Sequence, residues 1–174
     1  MRLFLAKNQG WTLIEVAVVT IIVGVLAAIA TPSMVGMKAR SDLKDAMGQV
    51  KGALQEAQRA AIKQGASCTV NLGPSTGSTS VTGSPVGCIT SPVTFSDQST
   101  IKLWYNGSGT NIVFSFRGNT TSSRTMVLES ERTVERKCIV IASGIGILRT
   151  GSYKNKVELP TLGTLDAGNC GTSL

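Results

Sequence analysis

The side chains of this chain that could do chemistry are few, and most of them exclude more than they offer. No His occurs among the 174 residues. That removes the commonest general base and the commonest zinc ligand together, and it excludes Ser-His and Cys-His nucleophile pairs. Cys68, Cys88, Cys138 and Cys170 form no C-x-x-C pair, so a zinc site would need all four widely separated thiols. The Ser-rich stretch from Gly73 to Pro92 has no Lys or His among its hydroxyls, and no paired carboxylates occur outside solvated charge runs. No catalytic residue, metal site or cofactor is expected, and the chain does not read as an enzyme. One acid is out of place. Glu15 stands at the edge of a segment that is uncharged from Val16 to Ala30. A carboxylate there costs on the order of a few kcal/mol unless it has a partner, so ion pairing in an apolar medium is the chemistry on offer.

The elements around these residues follow from composition. One domain's length is present, with 42% hydrophobic and only 16% charged residues, against about 25% charged in a typical soluble domain. Ser, Thr, Asn and 19 Gly supply the missing polarity, which suggests an exported, β-rich domain. The formal charge of +7 favours anionic partners without choosing among them. Trp11 to Ala30 as a helix would span about 30 Å, the thickness of a bilayer's hydrocarbon core. Three readings fit this end. A basic start (Arg2, Lys7), an apolar stretch and Ala28-Ile29-Ala30 describe a secretory signal peptide. An inert membrane anchor is the second reading, and neither has a use for Glu15. Lys38, Arg40 and Lys44 follow the span and nearly balance Arg2, Lys7 and the amino terminus, so the positive-inside rule does not fix orientation.

The third reading rests on Gly10-Trp11-Thr12-Leu13-Ile14-Glu15, which resembles the processing site of type IV pilin-like proteins. The resemblance implies a leader at residues 1–10, cleaved between Gly10 and Trp11 by a prepilin peptidase that then methylates the Trp11 amine. Trp11 replaces the usual Phe but keeps a large aromatic ring. Glu15 holds the position that pairs with a terminal amine in the filament axis, and Gly24 and Pro32 stand where the family often loosens the helix. The resemblance also implies a single-pass precursor in the inner membrane with an exported carboxyl-terminal part, later in a pilus or a periplasmic pseudopilus. The partners it implies are other pilin or pseudopilin subunits, the peptidase/methyltransferase, an inner-membrane assembly platform and membrane lipids.

Helical periodicity resumes beyond Pro32, where an opening or kink is expected. Met37, Leu43, Met47, Val50, Leu54, Ala57, Ala61 and Ile62 make one apolar stripe. Lys38–Asp42 and Glu56–Arg59 have the spacing of helix-surface pairs, and Gly65 reads as the stop. Gly73 to Pro92 reads as an exposed loop. Strands are expected at 100–105, 111–117, 125–128, 137–142 and 145–149, the last two joined at Ser143-Gly144, with a solvated charged hairpin from Glu129 to Lys137. The expected class is α+β: a long N-terminal helix, with a transmembrane half (11–31) and an amphipathic half (32–65), on a small antiparallel sheet (100–174), with a loop region at 66–99.

Within the sheet, Phe114-Ser115-Phe116-Arg117-Gly118, Cys138-Ile139-Val140-Ile141 and Gly146-Ile147-Leu148-Arg149 are similar to the pseudopilin H (GspH/FimT) group. This implies a minor pilin or pseudopilin of a type IV pilus or type II secretion pseudopilus. In an exported domain the four cysteines suit disulfides. Three pairings are open; Cys68–Cys88 would close the Ser/Thr/Gly loop and Cys138–Cys170 would pin the tail. Some relatives of the FimT branch take up DNA through a Gly-Arg-x-Arg hairpin. Ile147 stands here for the first Arg, and Arg149, Lys154 and Lys156, with Tyr153 among them, remain as a candidate phosphate contact. A DNA-uptake pilin is thus the alternative function, and a protein with an ordinary signal sequence a remote one.

Overall fold

In a computed structural model the described residues are 11–74, 76–95, 100–107, 109–154 and 165–171, apart from the side chains of 30–33 and 76. The chain divides into two compact units, Met1–Met37 and Lys38–Leu174. Helix α1 (Leu13–Gln64) contributes to both. Its backbone stays helical through Pro32, so the expected opening is not found there; the Pro32 side chain lies outside the description. Within the second unit α1 buries Leu43, Val50, Leu54, Ala57 and Ala61, as the periodicity predicts, and also Ala39, Ala46 and Ala53. Met37 and Ile62 depart from the stripe, at 68% and 54% exposed. The helix ends in a Schellman turn: Gly65 has φ +64°, its N–H donates to Ile62 O, and the Ala66 N–H donates to Ala61 O. Only a residue free of Cβ strain adopts that left-handed conformation readily.

The strands are β1 (Cys68–Asn71), β2 (Thr76–Ser78), β3 (Ser80–Ser84), β4 (Val93–Thr94), β5 (Ile101–Tyr105), β6 (Asn111–Phe114), β7 (Arg124–Ser130), β8 (Thr133–Ile141), β9 (Leu148–Tyr153) and β10 (Cys170–Gly171). They form two antiparallel sheets, ordered β4-β3-β1-β6 and β10-β9-β8-β7-β5-β2. Residues 66–99 are therefore not the loop region that their composition suggested. They hold β1 to β4, and Leu72, Val81, Cys88 and Ile89 enter the core. Ser and Thr tolerate the pleated backbone, and pairing of β3 with both β1 and β4 overrides the Gly/Ser/Pro content. The later strands lie close to their expected positions, and Ile141 faces Leu148 across the turn.

The main core lies between α1 and the sheets. A second cluster, with Val127, Cys138, Val140, Tyr153, Leu165 and Cys170, occupies the other face of β7–β9. β7 and β8 are covered on both faces where they run Met126–Leu128 and Cys138–Ile141, which explains those unbroken apolar runs. Both expected disulfides are present: Cys68–Cys88 and Cys138–Cys170, with Cα separations of 5.6 and 5.8 Å. The second holds the tail over the outer cluster, where Asn106 Nδ2 also donates to Leu165 O at 2.8 Å.

Arg124 is buried in β7, a position with no signal in the sequence. Its guanidinium donates to Asn106 O at 2.8 Å and Asn111 O at 3.3 Å and lies 5.7 Å from the Tyr105 ring centroid. It thereby braces the turn that carries the chain from β5 in one sheet to β6 in the other. Arg124→Met should cost about 1–3 kcal/mol by removing the bonds that tie the Asn106 and Asn111 carbonyls to β7, and Leu54→Ala about 2–5 kcal/mol. Ile62→Ala should cost less than about 0.5 kcal/mol. Denaturation of the full chain in mild detergent, followed by tryptophan fluorescence, measures all three.

Candidate functional site

The apolar end of α1 is the first candidate, because among the described residues no side chain covers it. Leu13, Ile21, Ile22, Leu26, Val23 and Val16 are all exposed, and at about 100° per residue they point in every direction around the helix. An amphipathic helix has one wet face; this stretch has none, so it is suited to lipid or to other apolar helices. It is the one helix of the described residues long and apolar enough to cross a membrane. At its start the Glu15 N–H donates to Thr12 Oγ1 at 3.3 Å and to Thr12 O at 3.1 Å. Thr12-Leu13-Ile14-Glu15 has the spacing of a capping box, a role not recognised from the sequence. Glu15 is also an acid in the first turn, where the helix dipole favours it. Trp11 is exposed just outside the helix, one turn before Glu15. Gly10 lies outside the described residues. A Cβ on Gly24 would meet nothing within 4 Å, so none of the described residues requires glycine there.

In the basic stretch expected near the carboxyl end, Tyr153 is not the exposed aromatic that the reading placed among the cations. Tyr153 is only 7% exposed, and its hydroxyl accepts from the Asp166 N–H at 3.2 Å, so its ring offers no stacking surface. Arg149 and Lys154 are exposed, one near the start of β9 and one just past its end. Lys156 lies outside the described residues. The glycines of the pseudopilin-like motifs have a packing reason instead. Gly118 and Gly146 have φ +76° and +68°. A Cβ on Gly146 would fall 3.0 Å from both Gln58 Nε2 and Gly118 O, and Gln58 Nε2 donates to that carbonyl at 2.7 Å. Both turns thus close directly onto the end of the helix.

No protein-family model matches the chain. Short segments are similar to two curated proteins. The type IV major pilin protein PilA of Myxococcus xanthus is 45% identical over 56 residues, 32% of this chain and 25% of that protein. The type II secretion system core protein G of Escherichia coli is 39% identical over 44 residues, 25% of this chain and 30% of that protein. The chain thus spans less than a third of the length of either relative. In structure it is similar to the type IV minor pilin FimU of Pseudomonas aeruginosa, with TM-score 0.51 and 18% identity over 70% of this chain and 94% of that one. It is likewise similar to the minor pseudopilin EpsH of Vibrio cholerae, with TM-score 0.50 and 14% identity over 64% and 97%. One N-terminal helix with antiparallel sheets is a pilin-like fold, and this chain has it. The likeness to minor pilins and pseudopilins read from the sequence motifs stands.

A second contact missing from the sequence reading lies on the helix face away from the motif turns. Glu56 was expected to pair with Arg59; instead its carboxylate accepts from both the N–H (3.0 Å) and the hydroxyl of Thr90. These two bonds hold its pKa below the ordinary carboxylate range. A lowered folded-state pKa gives stability that is present above the unfolded value and lost as pH falls through the folded one. The Lys38–Asp42 pair does form, at 3.4 Å, on exposed side chains where it contributes little. Acidifying the full chain from neutral pH to about pH 3 should lower its urea midpoint, and Glu56→Gln should lose less than the parent over the same interval. An equal loss in the two proteins would show that the Glu56–Thr90 contact adds no pH-dependent stability.

Proposed function

We propose that this chain is a structural subunit, a minor pilin or pseudopilin, of a type IV pilus or type II secretion pseudopilus. The observation that supports this most is the apolar start of α1, exposed on all sides, with a carboxylate in its first turn. The pilin-like fold and relatives from both systems agree with it. In this reading the precursor rests in the inner membrane through residues 11–31, and a prepilin peptidase cuts between Gly10 and Trp11 and methylates the new amine. The assembly platform then moves the apolar helix from lipid into a bundle of like helices. Cohesion there comes from packing, since lipid tails and leucines are equally apolar. Register comes from Glu15: its carboxylate is costly in an apolar bundle unless it meets an ammonium, so the favoured position places it beside the Trp11 amine of its own chain or a neighbour. Gly24 and Pro32 would let the helix adapt to that bundle. The chain performs no catalysis itself; the chemistry is done to it.

Two variants separate these steps. Gly10→Val should leave an unprocessed precursor, seen by intact mass, whereas normal clipping would reject the cleavage site. Glu15→Val should enter the membrane and be clipped normally. Its recovery in sheared filaments should fall about tenfold or more, because an ammonium is left unpaired in the bundle. Parental recovery of Glu15→Val would remove Glu15 from the assembly step.

A further inference from the structure

The carboxyl-terminal end of α1 carries cations that its surroundings do not neutralise. Arg59 and Lys63 are exposed there, one helical turn apart. The turn after β6, Ser115 to Gly118, closes onto the same stretch of helix: its Gly118 N–H donates to Ser115 O at 2.8 Å. A Cβ on Gly118 would fall 2.7 Å from Ile62 Cδ1 and 3.5 Å from Gln58 Cγ. At about 100° per residue, Ile62 lies between Gln58, on the side of the turn, and Arg59 and Lys63, on the open side of the helix. Within the turn Phe116 is 53% exposed, and the Arg117 guanidinium lies 5.2 Å from its ring centroid. Phe116, Arg117, Ile62, Arg59 and Lys63 thus follow one another across one surface. Arg149 is no part of it: it pairs with Val140, a member of the outer cluster, and so projects from the sheet face away from α1.

Carboxylates are scarce around this surface. Among the described residues of the unit, Asp42 and Asp45 stand roughly 20 Å or more along the helix from Arg59, and Glu135 bonds Arg40 further still. Glu129 and Glu131 belong to the same hairpin as Glu135 and face Arg136 and Lys102. Asp166 lies over the outer cluster, where its N–H donates to Tyr153 Oη. Glu56, one turn before Arg59, is the nearest acid, and its carboxylate is turned to Thr90. No ion pair among the described residues reaches Arg59, Lys63 or Arg117.

We propose that this surface binds single-stranded nucleic acid, with the three cations on its phosphates and Phe116 under an unpaired base. Cations that track a backbone beside an aromatic ring that takes a base are the two parts such a site needs. A phosphate chain supplies the anions that Arg59, Lys63 and Arg117 lack. Paired bases are already stacked on one another, so a duplex would use the cations and leave the ring idle. Two half-exposed apolar side chains, Ile62 and Phe116, are too little for a stable protein contact, which takes about 800 Å² from each partner. The open side of α1 beside them, Gly52, Gln55 and Arg59, is polar and has no apolar face to enter a bilayer.

The test is fluorescence anisotropy of the full chain in mild detergent with a labelled oligothymidylate of about 12 nucleotides and a duplex of equal length. The single strand should bind, and its affinity should fall about 15–20-fold between about 50 and 200 mM salt, the dependence of three phosphate contacts. Arg59→Gln with Lys63→Gln should cut that dependence to about threefold. Phe116→Ala should weaken the single strand about fivefold or more and leave duplex affinity parental. Arg149→Gln, on the opposite face, should bind as the parent does. Absence of binding at the lower salt, an equal effect of Phe116→Ala on strand and duplex, or a loss that follows Arg149 rather than Arg59 and Lys63 would each overturn the proposal. So would equal capture by phosphatidylglycerol vesicles. The measurement needs no filament, so its failure would leave the subunit reading standing, and Glu15→Val tests that reading separately.

Discussion

A helix that is apolar on every side cannot be satisfied in water by the chain that makes it, and that constraint governs the rest of this protein. Burying each exposed Val, Leu or Ile of residues 13–29 would stabilise by about 1.5–3 kcal/mol, yet among the described residues no side chain covers them. The released free energy is available only to an external apolar phase. Lipid and a bundle of similar helices offer nearly the same transfer term, so passage between them need not cross a large hydrophobic barrier. What can distinguish the two phases is polar: the uncapped N–H groups at the helix start and the Glu15 carboxylate.

The Lys38–Leu174 unit solves the opposite problem, stabilising a small domain from local material. Its share of α1 has one dry face, formed largely by small residues such as Ala46, Ala53, Ala57 and Ala61, which let the helix lie close to the strands. On its other side the six-stranded sheet would be left half wet. The 165–171 segment covers it, held by Cys138–Cys170 and by the bonds of Asn106 and Tyr153. Without that cover, Val127 and Val140 would face solvent. The disulfide therefore fixes a packing layer that no hydrophobic run in the tail could have secured, and it stabilises by about 3–4 kcal/mol through restriction of the unfolded chain.

How much of this was legible in the sequence depends on the range of the interaction involved. The apolar span, the dry stripe from Leu43 to Ala61 and the Gly65 stop are local patterns, and each is where the periodicity puts it. Cys68–Cys88 and Cys138–Cys170 followed from the loop and tail they would close. The strands of 66–99 were not legible, because Ser, Thr and Gly content marks a loop only when nothing pairs with it, and β1 and β6 lie far apart in the sequence. Tyr153 looked like a surface aromatic between cations until the tail folded over it. Arg124 carried no signal in the sequence, and Glu56 looked like half of a helix pair, until chain segments distant in sequence supplied their partners. Of the candidate processing and assembly residues, sequence and fold together place Trp11 and Glu15 at one helix start, and that placement has a physical consequence of its own.

A helix start is the positive end of its dipole, equivalent to roughly half an elementary charge. Under the proposed processing, the new ammonium of Trp11 would sit at that end, where a cation is disfavoured. In water the mismatch is screened and small. In an apolar bundle it is neither, and an ammonium there would oppose docking even before its own desolvation is counted. A carboxylate one turn into the helix offsets both charges at once. Glu15 is placed for this by Thr12, whose side chain accepts the Glu15 N–H and starts the helix at the residue that sets the spacing. Under the proposed function, the acid that stands out of place in an apolar segment would be the group that lets a freshly cut, charged helix start enter an apolar bundle. It can do so only where its carboxylate reaches an ammonium, which makes the same residue a condition for entry and a gauge of position.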